Sequence, residues 1–297
     1  MPATKFFCPD GQVVSISKCM EGCRCGTRCM FLPTLRAIAR SSDRKLNGAT
    51  VTELITGIRE TYLKKAEDYT INPMDSLYAL QGMGIHGVHE AFVDGDILSE
   101  IRLNDGITSG KFDLYGQLLD EDTGCLGDLK VTSSYKIMRA LGYYKKSVST
   151  GEVYKTGAKK GRPKYHQKLF TDGVRYVMDW AIQLNYYRML LEQLGFEVNR
   201  MVIQAVCRDG SLRIASERGI DKNVYLIPIN RISDTWLHRY FSHKAKILQA
   251  ALQSGQMPPV CSAKERWHDK KCLEYCDVAE YCDYGQMVKA NHVKKVS

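Results

Sequence analysis

The sequence predicts a mixed α/β core that carries a small cysteine-rich segment at each end. Helical stretches with a 3.6-residue period alternate with short β-branched runs, yet no βαβ spacing repeats. Nine of the eleven cysteines fall within residues 8–29 and 261–282. The 297 residues are 44% apolar and 25% charged, a globular mixture that excludes a disordered or fibrous chain. The expected division is an N-terminal cysteine-rich metal-binding segment (1–48), a core (49–256) and a C-terminal cysteine segment with its tail (257–297).

Residues 1–30, rich in Cys, Gly and Pro, read as a metal-stapled knot rather than as helix or strand. From Ala49 the pattern turns helical. Thr50 and Glu53 have capping-box spacing, and Leu54, Ile55, Ile58, Tyr62 and Leu63 mark one face. A second helix is expected over about 75–92, closed by the Asp94-Gly95 turn. Phe112 to Leu119 and Leu126 to Thr132 read as paired strands, joined by a turn over Asp120 to Gly124. Lys145 to Lys168 holds Gly151, Gly157, Gly161 and Pro163 with little periodicity, which predicts a long basic loop. Val177 to Leu194 is the clearest helix, closed by Gly195. Val198 to Val206 and Val224 to Ile229 read as strands, and a helix from about Ser233 to Ser254 precedes the Pro258-Pro259 break.

Lys and Arg exceed Asp and Glu by nine, which favours an anionic partner. No apolar run approaches the ~18 residues of a membrane helix, so no membrane association is expected. The opening MPATKFFCPDG lacks the apolar stretch of a secretory signal. A cytoplasmic, reducing compartment follows as an expectation, and there many cysteines mean metal ligation rather than disulfides.

The cysteine spacing is repeated. Cys8, Cys19, Cys23 and Cys29 form C-x10-C-x3-C-x5-C, and Cys261, Cys272, Cys276 and Cys282 match it gap for gap. Short loops cost little entropy to close, so each set can converge on one ion or cluster. Zinc and an iron–sulfur cluster both accept four thiolates, and spacing does not choose between them. Cys25 can substitute for a neighbour in the first set, and one N-terminal cysteine can instead complete a site with the C-terminal trio. Cys125 and Cys207, in strand regions, read as ordinary buried residues.

The strongest catalytic signal lies in Gly110-Lys-Phe-Asp113 and Gly127-Asp128-Leu129-Lys130. Alternate strand residues share a face, so Asp128 and Lys130 project together, and the hairpin brings Asp113 close. Two carboxylates make a hard oxygen site for Mg²⁺ or Mn²⁺. Such an ion polarises a phosphate and acidifies a water, while a lysine steadies the growing charge. His86 and Glu90, four apart on the preceding helix, share a face and can both reach a metal. Gln183 and Tyr187 have the same spacing on the clearest helix and can hydrogen-bond a phosphate or the lysine. Each piece alone has a plain structural explanation; their order along the chain carries the signal.

Taken together, these pieces resemble the PD-(D/E)xK nuclease superfamily, and within it the RecB-like iron–sulfur exonucleases that include the CRISPR-adaptation exonucleases and the AddB nuclease domain. The pattern of histidine, aspartate, acid-x-lysine, Q-x-x-x-Y and a cysteine trio is matched over about residues 50–285 by His86, Asp113, Asp128 with Lys130, Gln183 with Tyr187, and Cys272, Cys276 and Cys282. The resemblance implies a restriction-endonuclease-like mixed sheet flanked by helices. It implies His86, Asp113, Asp128 and the Leu129 carbonyl as ligands of the catalytic Mg²⁺ or Mn²⁺, Lys130 as the catalytic lysine, and Gln183 and Tyr187 as positioning residues. It also implies a 4Fe-4S cluster on the C-terminal set. The trio here is C-x3-C-x5-C rather than C-x2-C-x5-C, and Cys261 is close by rather than far upstream. The N-terminal set is additional and is expected to hold zinc or a second iron–sulfur cluster.

Lys155 to Lys168 contains six Lys or Arg and no acid, so it can neutralise several phosphates. Tyr143, Tyr144, Tyr154 and Tyr165 are interleaved and can stack on unpaired bases, and Arg59 can contact a phosphate. The expected function is a metal-dependent exonuclease acting on single-stranded DNA or DNA ends. The alternative is a non-catalytic nucleic-acid-binding protein stabilised by two four-cysteine sites. A weaker third option is a redox or iron–sulfur sensor that uses the nuclease fold without cutting. Protein partners are not indicated.

Overall fold

The computed structural model describes residues 3–41, 48–119, 123–173 and 177–296. The N-terminal segment is not a bare knot. β1 (Lys5–Phe7) and β2 (Val13–Ser15) pair antiparallel, and α1 (Ile16–Glu21) and α2 (Leu32–Ser41) follow. Phe6 drives this local order, because its ring is fully buried among core residues that include Leu35 and Ile38 of α2.

The helix expected from Ala49 exists as two pieces, α3 (Val51–Thr56) and α4 (Ile58–Ala66). Its capping box is present, with Glu53 N–H donating to Thr50 Oγ1 at 3.2 Å and Thr50 N–H to Glu53 Oε2 at 2.9 Å. Gly57 breaks it at φ +139°, a conformation that favours glycine. A side chain there would also meet Cys261 Sγ at 3.0 Å. β3 (Thr70–Ile71) then pairs parallel with β1, tying the N-terminal segment to the core.

α5 (Leu77–Ala91) matches the second expected helix. Three short strands the sequence does not predict, β4 (Leu98–Ser99), β5 (Arg102–Asn104) and β6 (Ser109–Lys111), come next, and the strand expected over 112–119 is only β7 (Leu114–Gly116). The returning strand is β8 (Cys125–Thr132). Of the expected turn over 120–124, residues 120–122 lie outside the described residues.

After α6 (Ser134–Ala140), the stretch expected as a loop is a two-stranded antiparallel ribbon, β9 (Tyr143–Val153) with β10 (Pro163–Thr171). A strand exposed on both faces shows no apolar alternation, so its period was not visible in the residues. α7 (Met178–Gln193), β11 (Arg200–Cys207), α8 (Arg213–Ser216), β12 (Val224–Pro228) and α9 (Asp234–Ser254) complete the core, and all but α8 fall where the sequence places them. α10 (Lys270–Glu274), a 3₁₀ turn at Ala279–Tyr281 and α11 (Asp283–Val296) follow.

The central sheet runs β12-β11-β8-β7-β4, with β11 and β8 parallel and the other pairs antiparallel. It is a mixed sheet in an α/β chain. Leu126, Ile203 and Ile227 are buried on it, and α7 packs between β8, β11 and α9 with Leu184, Tyr186 and Leu191 almost wholly covered. Arg188 is buried too, held by Glu192 at 2.7 Å, the Ile232 carbonyl at 3.1 Å and Asp234. No described helix is long and apolar enough to cross a membrane.

Candidate active site

The sheet register sets three carboxylates in a row. Leu114 pairs with Gly127 across β7 and β8, so Asp113 stands one step beyond it beside Asp128. Ser99 pairs with Leu114 across β4 and β7, and the Glu100 amide donates to the Asp113 carbonyl at 3.0 Å. Glu100, Asp113 and Asp128 therefore sit on adjacent strands. Glu100 occupies a left-handed backbone conformation, φ +56°, at the end of β4.

α5 brings His86 to one end of this row. Its Nδ1 lies 3.1 Å from Glu100 Oε1 and 3.7 Å from Asp113 Oδ1. Donor atoms of His86, Glu100 and Asp113 all fall within 4.8 Å of one another. Lys111 contacts the other oxygen of Glu100. At the far end, Lys130 Nζ sits 2.8 Å from Asp128 Oδ1 and 2.6 Å from Oδ2. The buried Oδ2 makes that ionic contact without a well-directed hydrogen bond. The Leu129 amide donates to Asp113 Oδ2 at 2.6 Å.

α7 adds Gln183, whose Nε2 donates to the Tyr187 hydroxyl at 3.3 Å. Tyr187 reaches the row because Gly110 has no side chain: a Cβ there would lie 2.9 Å from both the Tyr187 hydroxyl and Val51 Cγ2. The structure thus gathers His86, Asp113, Asp128, Leu129, Lys130, Gln183 and Tyr187 around one place.

Charge is concentrated in this site. Burial, followed by the Asp128 charge, pushes Asp113 up to about 6, against the pull of Lys130, His86 and the Leu129 amide. Burial acts to lower Lys130, but Asp128 and Asp113 outweigh it and keep the ammonium charged. Burial, aided by Asp128 and Asp113, raises Tyr187 and keeps its phenol protonated, although the Gln183 contact opposes this.

Two sequence expectations change here. Glu90 is exposed at the surface, and His86 pairs with Glu100 instead. Glu100 went unpredicted, since β4 is only two residues long and its place beside Asp113 comes from sheet pairing, not from local spacing. Arg59 is not free for a phosphate. It is buried, donates to the Pro258 carbonyl at 2.7 Å, pairs with Asp283 and lies 3.8 Å from Cys282 Sγ.

The C-terminal cysteines lie close together. Cys261, Cys272, Cys276 and Cys282 line one pocket with Arg59, Glu60 and Lys271. The Glu60 amide donates to Cys261 and the Val278 amide to Cys276. Burial, followed by the charge of Glu60, pushes Cys276 up to about 12. Cys8, Cys19, Cys23 and Cys29 form a second group within electrostatic reach of one another, while Cys25 is exposed and donates to Asp10. Cys125 and Cys207 are buried on β8 and β11.

No protein-family profile matches the chain, and no curated protein does. Among solved structures, a Eubacterium rectale protein provisionally named an exonuclease is similar at 14% identity over 84% of each chain, with a TM-score of 0.28. A score that low does not establish a common fold, so the site stands on its own residues.

Proposed function

We propose that this chain is a divalent-metal-dependent DNA exonuclease that hydrolyses phosphodiester bonds in single strands or at DNA ends. The observation that carries the reading is the row Glu100–Asp113–Asp128 with His86 at one end and Lys130 at the other. The order of these residues, with its resemblance to the PD-(D/E)xK nucleases, supports it independently.

A hard cation fits this donor set, which is oxygen-rich, includes one imidazole and sets three carboxylates against the two ammonium groups of Lys111 and Lys130. His86, Asp113, Asp128 and the Leu129 carbonyl would hold Mg²⁺ or Mn²⁺, with Glu100 beside them. Bound there, the ion supplies Lewis acidity to a phosphoryl oxygen and lowers the pKa of a water. Lys130 keeps its proton and donates to the phosphate oxygen on which charge grows, giving up part of its contact with Asp128. The Tyr187 hydroxyl and the Gln183 amide hold the scissile phosphate in place. Asp113 must be ionised to act as a ligand, so its proton competes with the metal and activity falls towards acid pH.

The C-terminal set, Cys261, Cys272, Cys276 and Cys282, holds a 4Fe-4S cluster in this reading. Their convergence on one pocket, with amide and guanidinium donors around the sulfurs, supports that assignment. The N-terminal set, Cys8, Cys19, Cys23 and Cys29, takes zinc or a second iron–sulfur cluster. Both sites brace the fold.

The test is incubation of an end-labelled single-stranded oligonucleotide with anaerobically purified protein over a range of Mg²⁺ and Mn²⁺. Metal-dependent release of mononucleotides or short products is expected. An intact strand at every metal concentration, with the protein folded and its cysteine sites loaded, overturns the reading.

A further inference from the structure

The ribbon β9–β10 carries most of the chain's surplus charge. Residues 143–172 hold eight Lys or Arg against two acids, a net of +6 in a protein whose whole surplus is +9. Its two faces differ. Residues directly opposed in an antiparallel pair share a face, and the register opposes Tyr144 to Phe170, Lys146 to Lys168 and Val148 to His166. On the alternate face, Tyr143 and Leu169 pack against the core at the ribbon's root. Leu169 is admitted by Gly219, where a Cβ would lie 2.5 Å from its Cδ2 and φ is +74°.

The outward face is organised in a way that ribbon stability alone does not require. Tyr144 and Phe170 stack with centroids 6.0 Å apart and planes 25° apart. Lys146 and Lys168 stand directly opposite each other, both exposed, and neither has a carboxylate partner among the described residues. Like charges so placed are unfavourable in the free protein, and an approaching polyanion reverses that sign. At the ribbon's root opens a cleft of about 670 Å³ lined by Tyr135, Tyr143, Tyr144, Arg139, Lys145 and Arg218. That volume suits a nucleotide-sized group, in the roughly 300–1,000 Å³ range of small-ligand sites. Asp172 is the one acid in its lining. Arg218 is held over the Tyr135 ring at 5.6 Å and bonded to Ser134 Oγ at 2.8 Å, so its position is set before any ligand arrives.

The geometry points to a guide for single-stranded DNA. The ribbon's outward face and the cleft at its root bind an unpaired strand, with Lys146 and Lys168 on its phosphates and Tyr144 stacked on a base. The inference rests on the nuclease reading only in its choice of DNA as the polymer. Duplex, with its bases paired, and an acidic polypeptide, with no bases, satisfy the lysines but leave the aromatic platform unused.

Fluorescence anisotropy with a labelled oligothymidylate, in buffer without added divalent metal, tests it. Tyr144→Ala is expected to weaken binding roughly tenfold, the loss of one stacked base. Lys146→Ala with Lys168→Ala is expected to reduce the slope of log affinity against log salt by about 1.4, the release of counterions from two phosphates on a single strand. Polyglutamate and a duplex of equal length should compete poorly. Circular dichroism checks that both variants are folded, and Lys146→Gln with Lys168→Gln repeats the salt test with the stems retained. Variants that bind with wild-type affinity and salt slope overturn the proposal, as does polyglutamate or duplex competing as well as the single strand. The outcome is separable from cleavage: a protein that cuts DNA while its ribbon variants bind normally keeps its reaction centre and loses this guide, and a protein that binds through the ribbon without cutting does the reverse.

Discussion

Asp113 and Asp128 stand side by side on adjacent strands, and the amide of Leu129 donates to Asp113 Oδ2 at 2.6 Å. The backbone of one acid's strand thereby fixes the side chain of the other. Burial and the neighbouring charge lift Asp113 to about 6, so the two acids resist joint ionisation until a cation offsets them.

This gives a pH signature. A carboxyl raised from 3.8 to about 6 contributes stability that is complete below its ordinary pKa and is lost as pH rises through 6. Without added Mg²⁺ or Mn²⁺, the protein should be less stable at pH 8 than at pH 5, with about 1–2 kcal/mol of the difference due to this group. Asp113→Asn should flatten that part of the profile in thermal unfolding scans. An unchanged profile in the variant would show that Asp113 titrates normally.

Lys130 and Asp128 form a largely buried pair, and removing one partner strands the other. Lys130→Met is expected to cost about 3–5 kcal/mol in urea unfolding, and adding Asp128→Asn should restore most of it. Neither protein should cleave DNA. Additive losses in the double variant would mean that the two residues do not depend on each other.

How much of this was legible from the residues depends on distance along the chain. The Thr50–Glu53 capping box, α7 and the partners Asp128 and Lys130 are local, and their spacing placed them. The convergence of Cys261, Cys272, Cys276 and Cys282 on one pocket follows from short loops in the same way. Glu100 escaped because only the pairing of a two-residue strand brings it to Asp113. The break at Gly57 escaped for a related reason: the sulfur that crowds it, Cys261, lies about 200 residues onward. The ribbon was missed because strands wet on both faces lack an apolar period, and its pattern is charge and aromatics instead.

Gly110 is the tightest contact behind the site. Gly110→Ala should force Tyr187 aside, costing roughly 1–3 kcal/mol for an overpacked position and most of the cleavage activity. Placing it on a Tyr187→Ala background should recover stability without recovering activity. Normal stability and cleavage in Gly110→Ala would show that Tyr187 has room to move.

The two cysteine sites are distinguished by spectrum and metal content. Anaerobically purified protein should absorb broadly near about 400 nm and contain iron. Cys272→Ser and Cys276→Ser should remove the C-terminal share of that absorbance, while Cys19→Ser and Cys23→Ser report the N-terminal site. Colourless protein with zinc alone would refute the cluster assignment.

Manganese titration followed by electron paramagnetic resonance probes the reaction centre most directly, because free Mn²⁺ loses its signal on binding. Wild type should take up Mn²⁺ at the carboxylate row, Asp113→Ala and Asp128→Ala should lose that uptake, and Glu100→Gln should weaken it about tenfold. Equal uptake by all four proteins, or none by the wild type, would contradict a hard-cation site beside Lys130.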